Sequence, residues 1–222
     1  MPTYAVRAPL VRWLRDEARR AHEDLGPYRV LDVGCGGKPY EPLFARFASE
    51  YVGVDPVPNP RAELVGSAED LPVDDGTFDV VLCNQVLEHC DSPMRAVSEL
   101  CRVAAPGGRL LVSTHGVMAY HPSPTDYWRW THAGLEKLFA ENGSWASVRV
   151  TPASGTTACL GMMASIYLDL AFRRIGARGL ARPLVAGINT VAGAVDRHSP
   201  RLREPGPGTL FANFHVVAEV PQ

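Results

Sequence analysis

The chain has 222 residues, 46% of them hydrophobic and 21% charged, which is the make-up of an ordinary globular protein with one sizeable core. A net charge of −2 gathers no polyanion, so a nucleic-acid partner is disfavoured. The five cysteines, at 35, 83, 90, 101 and 159, are odd in number and form no Cys-x-x-Cys pair, which argues against a disulfide framework and against zinc, and for reduced thiols in a cytoplasmic protein.

In chain order, Val6 to Leu25 reads as an amphipathic helix. Val6, Leu10, Leu14, Ala18 and Ala21 fall on one stripe, and Gly26-Pro27 ends it. The run Val30-Leu-Asp-Val-Gly-Cys-Gly-Gly-Lys38 follows. It reads as a buried strand that stops in a glycine-built turn, where Gly34 and Gly36 let the backbone approach a ligand. Glu41 to Glu50 reads as a short helix, with Leu43, Phe44 and Phe47 inward. Tyr51-Val-Gly-Val-Asp55 is a second strand. Its terminal carboxylate lies about 20 residues past the glycine turn, where an acidic residue takes the ribose hydroxyls of a cofactor. Pro56 to Pro60 is a loop, and residues 62–67 a weak third strand. Phe78 to Cys83 and Arg109 to Ser113 are further strands. Between them Ser92-Pro93 starts a helix that runs to about Ala104. Each apolar run ends at a polar residue, and ligands in open α/β sheets bind beyond those carboxyl ends.

Leu31-Asp-Val-Gly-Cys-Gly36, Val52-Gly-Val-Asp55, Gly66-Ser-Ala-Glu-Asp-Leu-Pro72, Phe78-Asp-Val-Val81, Leu87-Glu-His89 and Pro106-Gly-Gly-Arg-Leu110 resemble the ordered motifs of class I S-adenosylmethionine-dependent methyltransferases, in the small-molecule, methyltransferase type 11-like group. The resemblance covers roughly residues 28–150. It implies an α/β fold with a doubly wound, mostly parallel seven-stranded sheet, and S-adenosyl-L-methionine across the strand ends. The residues it implies for the cofactor are Asp32, Gly34, Cys35, Gly36, Asp55, Pro56, Ser67, Ala68, Glu69, Asn84 and Gln85. Lys38 departs from the pattern, which usually has a further glycine there. Glu69 reads either as a contact for the adenine amino edge or as a carboxylate at a helix start.

His115 to Thr131 is a loop rich in prolines, aromatics and polar side chains at a strand's carboxyl end, a place where loops carry function. Its Asp-Tyr-Trp-Arg-Trp-Thr run resembles one subgroup of these methyltransferases, whose members accompany sugar or natural-product pathways. His121, with His115 second, is the expected proton acceptor; His89 stands as a further candidate. Asp126 or Arg129 is expected to orient the acceptor, with Tyr127 and Trp128 beside it. Trp128 and Trp130 read equally as packing under the next helix, 133–141. The carboxylate cluster of metal-assisted enzymes is missing at Asn84 and Ser113, so no metal is expected.

Residues 145–151 and 211–220 read as the last two strands. Residues 153–208 between them hold two apolar segments, 157–170 and 183–195, read as a buried helical hairpin. Neither reaches the length of about 20 residues that spans a bilayer. The hairpin, 155–196, is open to three roles: a cap on the acceptor pocket, a homodimer face, or a peripheral membrane contact. One methyltransferase domain over 1–222, with its N-terminal helix in 1–26, is the domain expectation. The function expected is methyl transfer to a small-molecule hydroxyl, of a sugar or natural-product intermediate, leaving S-adenosyl-L-homocysteine. The alternative is a catalytically idle cofactor-binding partner subunit with the hairpin as its interface. A nicotinamide-dependent oxidoreductase is disfavoured, because no glycine completes the Gly-x-x-Gly spacing.

Overall fold

The computed structural model describes residues 2–222, at position 178 for the backbone only. A seven-stranded sheet in the order β3-β2-β1-β4-β5-β7-β6 forms its middle. The strands are β1 Tyr28–Val33, β2 Ala48–Asp55, β3 Leu64–Val65, β4 Phe78–Asn84, β5 Ala104–His115, β6 Ser147–Pro152 and β7 Asn213–Glu219. All pairings are parallel except those of β7, which runs antiparallel between β5 and β6.

Strand side chains alternate between two faces, and both faces are buried. Leu31 and Val33 of β1, Val81 and Cys83 of β4, and Leu110 and Val112 of β5 enter one core. Val30, Val80, Leu82 and Leu111 enter the other. Helices α3 Pro93–Val103 and α4 His132–Glu141 cover the first core. Helix α1 Tyr4–Leu25 covers the second with Leu10, Leu14, Ala18 and Ala21, the stripe read from its spacing.

Several boundaries differ from the sequence reading. The helix expected over 41–50 is only α2 Glu41–Phe44, because β2 begins at Ala48 and claims the rest for the sheet. The third strand shrinks to Leu64–Val65. β5 extends to twelve residues, since Ala104 pairs with Phe78 of β4 at its start and His115 with Asn213 of β7 at its end. Ser92 caps α3 by accepting the Arg95 amide at 3.4 Å.

Between β6 and β7 stand α5 Thr156–Arg174 and α6 Arg178–His198. This is the helical insertion, but it is not buried as expected. Its base packs on the body: Ala158, Cys159 and Met162 meet Ala5 and Val6 of α1, with Val117 and Met118 of the loop after β5 against them. Asp196 ties the base together by accepting the Thr157 and Ala158 amides, each at 3.1 Å. Farther out, Leu160, Tyr167, Leu170, Ile175, Leu180, Leu184, Val191 and Val195 are all exposed. No helix among the described residues is long and apolar enough to cross a membrane.

Candidate functional site

The carboxyl ends of β1, β2, β4 and β5 meet at one edge, and the glycine turn sits there. Gly34 has φ +68, and a Cβ on it would lie 2.4 Å from Cγ2 of Val86. Only glycine meets both demands. The Gly34 and Cys35 amides donate to the Val54 carbonyl, at 2.8 and 3.1 Å. The Gly36 amide donates to Oδ2 of Asp55 at 3.0 Å. The turn is thus laced to the end of β2, which sets the Asp55 carboxylate beside it. Asn59 Nδ2 donates to the same oxygen at 3.2 Å, and the Val57 amide to Oδ1 at 3.3 Å. Pro56, next in the chain, is exposed.

Lys38, the departure from the pattern, takes φ +52 and buries its chain across β2. Its Nζ meets both carboxylate oxygens of Glu63, at 2.7 and 2.6 Å, and Glu63 also accepts the Gly53 amide at 2.6 Å. This brace was not foreseen; an inward lysine in a glycine position was its only trace. Asp32 is 2% exposed and accepts the Tyr51 hydroxyl at 2.7 Å. Burial pushes its pKa up to about 7.

On the adenine-side turn, Ser67 Oγ accepts the Glu69 amide at 3.1 Å and Ala68 packs into the first core. Glu69 Oε1 accepts the Ser92 amide at the start of α3, which is the second of its two readings. At the end of β4, Asn84 is 8% exposed, and neither atom of its amide has a partner in the protein. Gln85 takes φ +60. Its Nε2 donates to Ser113 Oγ at 2.6 Å and to Asn213 Oδ1 at 3.1 Å. Asn213 in turn donates to Ser113 Oγ at 2.7 Å, joining β7 to this floor across 100 residues. No local signal could have shown that link.

The loop after β5 closes over the same edge. Glu88 is fully buried in the short 3-10 turn after β4. Its backbone carbonyl accepts the Tyr127 and Trp128 amides, at 2.8 and 3.2 Å, and its Oε2 accepts Thr114 Oγ1 at 2.8 Å. Glu88 therefore fastens the loop, and burial pushes its carboxyl pKa up. Trp128 donates to the Cys90 carbonyl at 2.8 Å and stacks on Trp130, which lies against the first core. Tyr127 stays exposed.

Three imidazoles gather beneath this loop. His121 meets His89 and His115 edge-on, with centroids 5.1 and 5.4 Å apart. His121 Nδ1 lies 3.1 Å from Asp126 Oδ2, and Asp126 also accepts the His121 amide at 3.1 Å. The Asp126 carboxylate is fully covered and gripped by both terminal nitrogens of Arg129, which hold its pKa down to about 2. Arg129 is expected from sequence to orient an acceptor. It pairs with Asp126 and donates to the carbonyls of Met118, Ala119 and Trp128, and so staples the loop. His115 is 4% exposed, with Nε2 3.3 Å from Glu88 Oε1. Burial drives its pKa down to about 3. His89 Nδ1 is 2.8 Å from the Thr125 carbonyl.

Two groups of these side chains place ligand atoms within 4.8 Å of one another: Glu88, His115 and His121, and His89, His121 and Asp126. Linear spacing cannot show such groups, because three separate segments build them.

The seven-stranded mixed sheet, with antiparallel β7 set between β5 and β6, matches the Rossmann-like fold of methyltransferase neighbours, and the glycine turn and the acidic end of β2 lie where open α/β sheets take a nucleotide-like ligand. Residues 31–112 match the family described as "Methyltransferase domain", the type 11-like group whose motifs they resemble. An uncharacterized methyltransferase of Mycobacterium sp. (strain JLS) is 41% identical over 98 residues, 40% of this chain and 39% of the relative. A ubiquinone biosynthesis O-methyltransferase of Xanthomonas oryzae pv. oryzae is 36% identical over 109 residues, 42% of this chain and 46% of the relative. The chain thus matches less than half the length of these curated relatives. In structure, it is similar to a 1,6-didemethyltoxoflavin-N1-methyltransferase of Burkholderia thailandensis solved with its substrate and S-adenosylhomocysteine. The TM-score is 0.55 at 16% identity, over 94% of this chain and 78% of the other.

Proposed function

We propose that this chain transfers a methyl group from S-adenosyl-L-methionine to a hydroxyl of a small molecule, a sugar or natural-product intermediate. One observation carries the reading. A histidine backed by a covered, ionised carboxylate stands at the strand ends, at the same edge as a glycine turn laced to Asp55. The residues suit the cofactor: Asn84 offers an unpartnered buried amide, Asp55 retains acceptor capacity for ribose hydroxyls, and Gly34 keeps the floor free of a Cβ. When bound, S-adenosyl-L-methionine supplies an electrophilic methyl group on a sulfonium.

His121 is the base. Its Nδ1 faces Asp126, so Nε2 carries the lone pair that takes the acceptor's proton. Asp126, kept ionised by Arg129, fixes the imidazole's direction. His115, whose conjugate acid is far too acidic for general base work at neutral pH, serves as a neutral polar wall. Tyr127 and Trp128 border the acceptor. Glu88 and Arg129 hold the loop's shape, which keeps the reacting atoms at attack distance.

The clustered histidines and acids are read as proton-handling groups rather than an ion cage. Asp126 is already engaged by both guanidinium nitrogens, and the Arg129 charge beside it repels a cation. The five free cysteines support a cytoplasmic setting. Turnover of His121→Ala, with cofactor affinity followed by calorimetry, tests the proposal. Wild-type turnover removes His121 from the role. The idle-subunit reading, which the exposed hairpin favours, predicts cofactor binding without turnover on any hydroxyl acceptor.

A further inference from the structure

The insertion between β6 and β7 has a chemistry unlike the rest of the molecule. Residues 156–203 carry seven arginines against two aspartates, whereas the whole chain has net charge −2. The contrast is greatest at the far end. Residues 170–184 contain Arg173, Arg174, Arg178 and Arg182 and no carboxylate. The same stretch presents Leu170, Ile175, Leu180 and Leu184, which are 46, 73, 65 and 50% exposed. Arg173 pairs with Asp169 at 2.6 Å, while Arg174 and Arg182 make no ion pair among the described residues. On α6 the free apolar positions, Leu180, Leu184, Val191 and Val195, recur with helical spacing, while Ala181, Val185 and Ala192 form a second stripe that is buried. The base of the hairpin is fixed to α1 and to the loop after β5, so the charged, apolar end is the part left to meet a partner.

From this geometry we propose that the tip of the α5–α6 hairpin docks on an anionic lipid bilayer, with Ile175 and the leucines entering the headgroup boundary and the arginines pairing with lipid phosphates. Exposed apolar side chains interleaved with cations, Arg174 and Arg182 among them, match that interface on both counts. The hairpin lies on the membrane rather than across it, as neither helix is long and apolar enough to span. A second copy of the chain is the poorer occupant: a two-fold contact through this face brings two arginine-rich tips together. The inference stands apart from the methyl-transfer reading, because binding is measured without cofactor or acceptor.

The test is co-sedimentation of the full chain with vesicles of phosphatidylcholine alone and of phosphatidylcholine mixed with phosphatidylglycerol. The chain is expected to pellet with the mixed vesicles at low ionic strength, to be released by high salt, and to stay in the supernatant with phosphatidylcholine. Arg174→Ser combined with Arg182→Ser is expected to lower partitioning by about tenfold or more, and Ile175→Asp combined with Leu180→Asp to remove it, each with unchanged circular dichroism. A wild-type chain that ignores anionic vesicles overturns the proposal, as do variants that bind as well as wild type. Equilibrium sedimentation covers the remaining case: a wild-type dimer that Ile175→Asp with Leu180→Asp splits, without vesicle binding, assigns the face to a second copy instead. Should a variant unfold, the wild-type vesicle and salt arms decide alone.

Discussion

The two halves of the crevice hold their shape by different means. Around β1 and β2 the turn is fixed by backbone: amides of Gly34, Cys35 and Gly36 run to the end of β2, and Lys38 and Glu63 brace it from inside. Over β4 and β5 side chains add to the backbone bonds: Glu88, Asp126, Arg129 and Trp128 pin a loop whose Tyr127 and Trp128 amides also reach the Glu88 carbonyl. The difference teaches where substitution is tolerated. A backbone site demands particular dihedral angles, while a side-chain site demands particular partners.

The sharpest way to break the first half is Gly34→Val. A β-branched side chain at φ +68, in contact distance of Val86, is expected to abolish cofactor binding by calorimetry, a loss of about a hundredfold or more. Gly34→Ala paired with Val86→Ala relieves the clash and leaves only the dihedral cost, about 1–2 kcal/mol. If Gly34→Val binds normally, the turn is not the cofactor floor.

In the second half, His121→Ala is expected to lower kcat by about a hundredfold to ten-thousandfold with cofactor affinity intact. Asp126→Asn keeps the shape but not the charge, and a drop of about tenfold or more is expected from stopped-assay turnover. Equal loss of affinity and turnover in both variants would make the array structural rather than chemical.

Acid sensitivity sharpens the contrast further. His215, stacked on Trp13, and His115 both have pKa values driven by burial down to about 3. An unfolded histidine protonates near pH 6.5, so below about 6.5 the unfolded chain gains protons that the fold refuses. Stability is therefore full above that point and falls as pH drops toward 3, by about 1.4 kcal/mol per pH unit for each group. His215→Phe is expected to flatten this limb in urea titrations without touching turnover. The smallest effect is expected from chelation: EDTA leaves turnover within about twofold. Loss of activity that a divalent cation restores would turn the histidine and acid groups into an ion site.

Much of the backbone half was legible in the sequence. Alternation along β1 and β4, the glycine turn, and the carboxylate closing β2 are all local signals. Position 38 shows the limit: an unexpected lysine was visible, but its partner Glu63 was not, since nothing local links 25 residues. The floor made by Gln85, Ser113 and Asn213 was hidden for the same reason. The loop after β5 stood out by its composition, but which of its groups face one another depends on folding, as the grip of Arg129 on Asp126 and on three loop carbonyls shows. The hairpin's two helices were readable, but their exposure was not, because an apolar run looks alike whether covered or bare.

The insertion leaves the sheet after Pro152 and returns before Phe214, and these two residues face each other across paired strands. Entry and exit are about one strand spacing apart. Lengthening the hairpin beyond its packed base costs the scaffold little, since closure entropy rises only slowly with length. An exchange confined to the exposed tip, which leaves Ala158, Cys159, Met162 and Asp196 in place, is therefore open to variation without disturbing the sheet.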